Sequence, residues 1–160
     1  MVGDTMNGIQ DGVAVVTGGG SGIGRQSSLR FAEAGAKVVV ADIDEEGGHE
    51  TVEMITSDGG EATFVKTNVT DSDDVDAMVQ TALDEYGGLD FAHNNAGIAD
   101  EGTRLAEYDE AQWDRMIDVN LKGVWRCLKA EIPEMIERGG GAIVILTDIN
   151  TQTHLGFRPG

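Results

Sequence analysis

The chain has 160 residues, with 29 acidic against 11 basic side chains and a formal net charge of −18 at pH 7. That length is one domain's worth and buries roughly 70% of the unfolded surface without disulfide staples. The single cysteine, Cys127, excludes an intramolecular disulfide and a cysteine metal cluster and suits a reducing cytoplasm. So acidic a chain repels phosphate backbones and has no Lys/Arg cluster to offset this, which argues against nucleic acid as a partner. No apolar run approaches the roughly 20 residues of a membrane span, and residues 1–11 lack the basic stretch and apolar core of a secretory signal.

The acids are interspersed, with four lysines (Lys37, Lys66, Lys122, Lys129) and the longest acidic stretch at 42–46. This reads as a solvated surface suited to high salt, where the Debye length is about 3 Å at 1 M and self-repulsion is screened.

Short β-branched runs alternate with helix-period stretches, the pattern of βαβ units and a parallel sheet covered on both faces. Strands are expected at 13–17, 37–41, 62–66, 89–93 and 142–146. A helix at 23–34 follows the first strand and stops at Gly35. Residues 45–57 are helical although Gly47 and Gly48 weaken the first turns by about 1 kcal/mol each. The clearest helix, 72–86, places Val75, Met78, Val79, Ala82, Leu83 and Tyr86 on one face, with acids at its start and Gly87-Gly88 at its end. Before the fifth strand lie a short helix near 103–108 and a long one over 110–137, which Pro133 should kink or divide. The expected architecture is a doubly wound α/β fold of five parallel strands in the order 3-2-1-4-5. It spans 1–146 as one domain, with an irregular tail at 147–160.

Between the first strand and its helix runs Thr17-Gly-Gly-Gly-Ser-Gly-Ile-Gly24. Residues without side chains let the backbone turn sharply and let a pyrophosphate approach, while the unpaired N–H groups of the helix face the phosphates. A glycine-dense turn can also be no more than a flexible connection; the flanking strand and helix favour the phosphate reading. Asp42 closes the second strand, where a carboxylate accepts hydrogen bonds from the ribose hydroxyls and repels a 2′-phosphate, so NAD is expected over NADP. A plain surface acid is the alternative.

Other residues read more plainly. Asn94 and Asn95, at the end of the fourth strand, could satisfy buried backbone groups. His93 is a packed core histidine; His49 and His154 lack ligand-spaced partners, and no metal site is expected. Trp113, Met116, Trp125 and Leu128 suggest core or subunit contact. Asn120 is a mildly unfavourable helix residue, which points to a role.

Taken together, the sequence resembles the short-chain dehydrogenase/reductase family over residues 8–146. Thr17-Gly-x-x-x-Gly-x-Gly24 matches the family's cofactor loop, Asn94-Asn-Ala-Gly97 its motif after the fourth strand, and Val119-Asn-Leu-Lys-Gly123 the segment bearing a proton-relay asparagine. The resemblance implies that Gly18, Ser21, Gly22, Ile23 and Gly24 line the pyrophosphate and that Asp42, with Ile43 beside it, holds the adenosine ribose. It places Asn68 and Val69 at the adenine, with the Asn68 carbonyl oxygen facing the exocyclic amine. Asn95, Ala96 and Gly97 flank the nicotinamide side, and Asn120 is the relay residue. It further implies NAD-linked hydride transfer on a small alcohol or carbonyl substrate, and assembly of copies through the helices after the fourth strand.

The family's catalytic serine and Tyr-x-x-x-Lys pair have no match. The last tyrosine is Tyr108 and the last lysine Lys129, and the serine position reads Thr147-Asp148. The expectation is therefore a truncated or frame-altered dehydrogenase, catalytically incomplete as it stands. The competing reading is a non-catalytic NAD-binding or interaction module.

Overall fold

A computed structural model describes residues 8–99 and 103–146. Its elements, in chain order, are β1 (Val13–Thr17), α1 (Gly22–Glu33), β2 (Lys37–Asp42), α2 (Glu45–Ser57), β3 (Glu61–Lys66), α3 (Ser72–Tyr86) and β4 (Phe91–Asn94). A 3₁₀ turn (Leu105–Glu107), α4 (Glu110–Ile117), a π-helical turn (Asp118–Gly123), α5 (Val124–Glu137) and β5 (Ala142–Ile145) follow. The strands form one parallel sheet in the order β3-β2-β1-β4-β5. No described helix is long and apolar enough to cross a membrane.

Alternation along each strand divides the core between the two faces of the sheet. Val13 and Val15 of β1 meet Val75 and Met78 of α3 and Cys127 and Met135 of α5. On the other face Val16, Val38 and Val40 pack with Ile55 of α2 and with Leu29 and Phe31 of α1. Central strands buried on both faces are why 13–16 and 38–41 read as uninterrupted apolar runs. Full burial of each such valine contributes about 1.5–3 kcal/mol.

The structure departs from the sequence reading in three places. Leu89 is fully buried but precedes β4, because Asp90 turns its carboxylate onto the Val13 N–H at 2.9 Å. The short 103–108 helix is a single 3₁₀ turn. The long 110–137 helix is broken not at Pro133, which sits inside α5, but at the π turn over Asp118–Gly123. There a Cβ on Gly123 would lie 2.9 Å from Val69 Cγ2, so the backbone comes close to the loop after β3. Arg126 donates to the Asp118 carbonyl at 3.3 Å and the Asp118 carboxylate at 2.9 Å, taking up polar groups in the widened turn. The expected tail, 147–160, lies outside the described residues.

Candidate functional site: a cleft above the carboxyl ends of the strands

The strands' carboxyl ends open on a cleft of about 1130 Å³ between the loop after β1 and the loop after β4. In an open doubly wound sheet this is the crevice where the strand order reverses, the place such folds bind ligands. Gly18, Ser21, Gly22, Ile23, Asp42, Ile43, Asn68, Val69, Asn95, Ala96, Gly97 and Asn120 all line it. Gly24 is buried beneath: a Cβ there would collide with the Gly18 carbonyl oxygen, so only glycine lets α1 approach the strand end this closely.

The loop's electrostatics suit an anion. α2, α3 and α4 each carry acids in the first turn, and Asp71 and Asp109 cap α3 and α4 with their side chains. By contrast α1 begins at Ser21 with no side-chain cap and no acid in its first turn, in a chain with 29 acids. Its amino-terminal N–H groups therefore face the cleft with their partial positive charge unneutralised. At Gly22 (φ +51°) a Cβ would meet open space, so the backbone turns there without a side chain over the helix end.

Asp42 is fixed by two backbone donors. Gly20 N–H reaches Oδ2 at 2.8 Å and Asp44 N–H reaches Oδ1 at 2.9 Å. A carboxylate has about four acceptor sites, so each oxygen keeps one free. Ile23 and Ile43 stand about 60% exposed on the same wall, leaving apolar surface available to a ring or sugar. Two residues that sequence reasoning missed hold this wall. Arg25 donates Nε to the Thr51 hydroxyl at 3.0 Å and reaches the Gly47 carbonyl at 3.2 Å and Glu50 at 2.8 Å, while Thr51 donates to the Gly19 carbonyl at 2.9 Å. Neither residue carries a sequence signal, since each acts through a contact more than twenty residues away.

Asn68 differs in detail from the sequence expectation. Its Oδ1 already accepts from the Thr70 N–H at 3.1 Å and the Thr70 hydroxyl at 2.9 Å, which fills both lone pairs. The group left for a ligand is the Nδ2 amide, a donor, which would complement a ring nitrogen rather than an exocyclic amine.

Across the cleft, Asn95 is both structural and exposed to the cavity. Its Nδ2 donates to the Thr17 carbonyl at 3.0 Å, and the N–H groups of Asn95 and Ala96 both reach the Thr17 hydroxyl at 3.0 Å. Asn94 points away from the cleft into the core. There its Nδ2 donates at 2.8 Å to Glu131 of α5, another residue the sequence reading passed over. The signal was present: Glu131 is one turn from both Cys127 and Met135, an acid on the buried stripe of a helix. Asn120 sits in the π turn and pairs both edges of its amide with Ile98, accepting its N–H and donating to its carbonyl at 2.8 Å each. Asn120 thereby clamps the loop after β4 to the helix. His93 is buried, and that burial pushes its pKa down. Trp113 and Trp125 are about half exposed and so are not core. Thr147 and Asp148 lie outside the described residues.

Comparison with known proteins agrees with this geometry. The family model described as short chain dehydrogenase matches residues 12–158. The short chain dehydrogenase/reductase astE of Aspergillus oryzae is 44% identical over 138 residues, covering 86% of this chain and 53% of that protein. A cyclohexanol dehydrogenase of an Acinetobacter species is 42% identical over 132 residues, covering 82% and 53%. The crystal structure of levodione reductase superposes with a TM-score of 0.81 at 32% identity, covering 85% of this chain and 54% of that one. The chain thus spans about half the length of the curated relatives it matches, and it belongs to the short-chain dehydrogenase family.

Proposed function

We propose that the cleft binds NAD(H) and that the chain is the cofactor-binding part of an oxidoreductase acting on a small alcohol or carbonyl compound. The observation that carries this is the amino end of α1, uncapped and free of acid in a protein of net charge −18, opening beneath a glycine turn. Such an end is a ready anion site for a pyrophosphate. When bound, the nicotinamide would accept or supply hydride; the chain's own residues bind and orient it. Gly18, Ser21, Gly22 and Ile23 would take the pyrophosphate, and Asp42 the ribose hydroxyls through its two free acceptor sites. Asn68 and Val69 would border the adenine, and Asn95, Ala96 and Gly97 the nicotinamide side.

Asp42 is what favours NAD over NADP, since a fixed carboxylate beside a 2′-phosphate is repulsive. The relatives named for cyclohexanol and levodione support alcohol–carbonyl chemistry. Asn120 would contribute to a proton relay only through groups its bonds to Ile98 leave free. With the Tyr-x-x-x-Lys pair missing from these 160 residues, general acid–base assistance, typically 10²–10⁴-fold, is also missing. We therefore expect these residues to bind cofactor without efficient turnover, which keeps a non-catalytic NAD-binding module as the second reading. Titration calorimetry with NADH beside a dehydrogenase assay tests this: saturable binding supports the cofactor reading, a folded chain that does not bind overturns it, and turnover would exclude the non-catalytic module.

Exposed Trp113, Ile117, Leu121 and Trp125 form a ladder along α4, the π turn and α5, and we assign to it the contact with a second copy. Light scattering of the Trp125→Glu variant should read a lower mass than the parent chain; equal masses would remove that assignment.

A further inference from the structure

Among the described residues, one carboxyl is fully buried with no cation to balance it. Glu131 occupies the inner face of α5 at 0% exposure, between Cys127 and Met135, where the helix otherwise presents apolar atoms to the sheet. Its Oε2 accepts from Asn94 Nδ2 at 2.8 Å, and Asn94 itself is 1% exposed. The other heteroatom of each side chain, Glu131 Oε1 and Asn94 Oδ1, has no partner. A buried acceptor left unpaired costs about 1–3 kcal/mol, and more when charged. Here two such acceptors belong to side chains already joined through their other atoms. A single proton satisfies both: on Glu131 Oε1 it makes an O–H donor, and Asn94 Oδ1 is the acceptor its partner lacks. A carboxylic acid and a primary amide have complementary edges, each with one donor and one acceptor.

We propose that Glu131 is held as a neutral acid paired edge to edge with Asn94, and that this pair is a positioning device for the cofactor cleft. The positioning role rests on the dinucleotide reading above. Asn94 ends β4, and the next two residues, Asn95 and Ala96, tie the cleft wall to Thr17. Ionisation of Glu131 would set two lone-pair-bearing oxygens against each other, so that Asn94 turns and carries the wall with it.

Burial pushes the Glu131 carboxyl up to about 7, against the opposing pull of the Asn94 bond. Cys127, one turn away, has its thiol pushed up to about 12 by burial and by Glu131. His93 of β4 belongs to the opposite sheet face by strand alternation. The inward residues of α3 are apolar, and in the π turn Asp118 is paired with Arg126.

Infrared difference spectra of the whole chain against Glu131→Gln read the proton directly. The carbonyl band of a protonated carboxyl should be present about one pH unit below 7 and lost about one unit above it. NADH titration by fluorescence over the same range should show the parent chain's affinity falling about tenfold as pH rises, a coupling of ordinary size. Glu131→Gln, whose amide keeps both edges, should hold the low-pH affinity at every pH. Glu131→Met keeps bulk without edges and should bind weakly throughout; if it does not fold, the parent and Gln profiles carry the test. A carboxylate signature below pH 7, or identical pH profiles for parent and Gln variant, overturns the proposal. Absence of NADH binding in every form, with the acid band present, overturns the positioning role through failure of the dinucleotide reading and leaves the protonation state established separately.

Discussion

Two carboxyls show how one side-chain chemistry is given opposite uses by its surroundings. Asp42 stands at the cleft edge, oriented by two main-chain N–H groups that leave acceptor sites on both oxygens. Charge-assisted hydrogen bonds contribute about 1.5–3 kcal/mol each. Asp42→Ala should therefore weaken NADH binding by about tenfold to a hundredfold while leaving NADPH binding unchanged or improved, as read by parallel titrations; unaltered selectivity would contradict the assignment. Glu131 is buried, with its pKa raised from 4.5 to about 7. A carboxyl with a raised folded-state pKa contributes stability that is fully present below its unfolded value, falls between 4.5 and about 7 and levels off above. Glu131→Gln removes that loss, so above pH 7 its unfolding free energy from urea titration should exceed the parent's by up to about 3 kcal/mol, and the two should converge in acid. The place of Asp42 on the cleft was legible in the sequence because it follows from position, the end of the second strand after a glycine turn. The acid on the buried stripe of α5 was visible too, but its pairing was not, because Asn94 lies 37 residues away and only the crossing of α5 over β4 brings them together.

At the scale of elements, the amino end of α1 is the feature that separates binding from stability. Aspartate side chains cap α3 and α4; none caps this helix. An aspartate at Ser21 would supply the missing cap and charge, worth about 1 kcal/mol, but would face the anion. Ser21→Asp should thus raise the melting temperature and lower NADH affinity at least about tenfold, measured on the same preparation. A variant that is stabilised and binds equally well would mean that no anion docks there. The helices and strands themselves were mostly legible, since a sheet covered on both faces writes itself as valine runs and α3 as a clean helical stripe. The π turn was not. Helical periodicity continues across 110–137, and only the approach of Gly123 to Val69, with Arg126 gathering the Asp118 carbonyl, determines where the helix widens. Gly123→Ala should force that contact apart at a cost of about 1–3 kcal/mol, visible in thermal unfolding.

For the whole molecule, the dominant physical fact is the charge of −18. Its ion pairs are mostly exposed, such as Lys66 with Glu45 and Arg30 with Glu33, and pairs of that kind contribute about 0–1 kcal/mol. They cannot offset the repulsion among the remaining acids, whereas salt can, and we infer a protein adapted to strong ionic solutions. The melting temperature should rise steadily from dilute buffer to molar sodium chloride; a flat or falling curve would refute this. The same setting suits the cleft, where the uncapped amino end of α1 offers backbone N–H groups and Arg115 and Lys122 stand elsewhere on the lining. The most direct measurement of that central claim is calorimetric titration of the folded chain with NADH in molar salt. A one-to-one binding isotherm, lost in Ser21→Asp and weakened in Asp42→Ala, is the expected result. A folded chain that gives no heat of binding and no change in NADH fluorescence would contradict it.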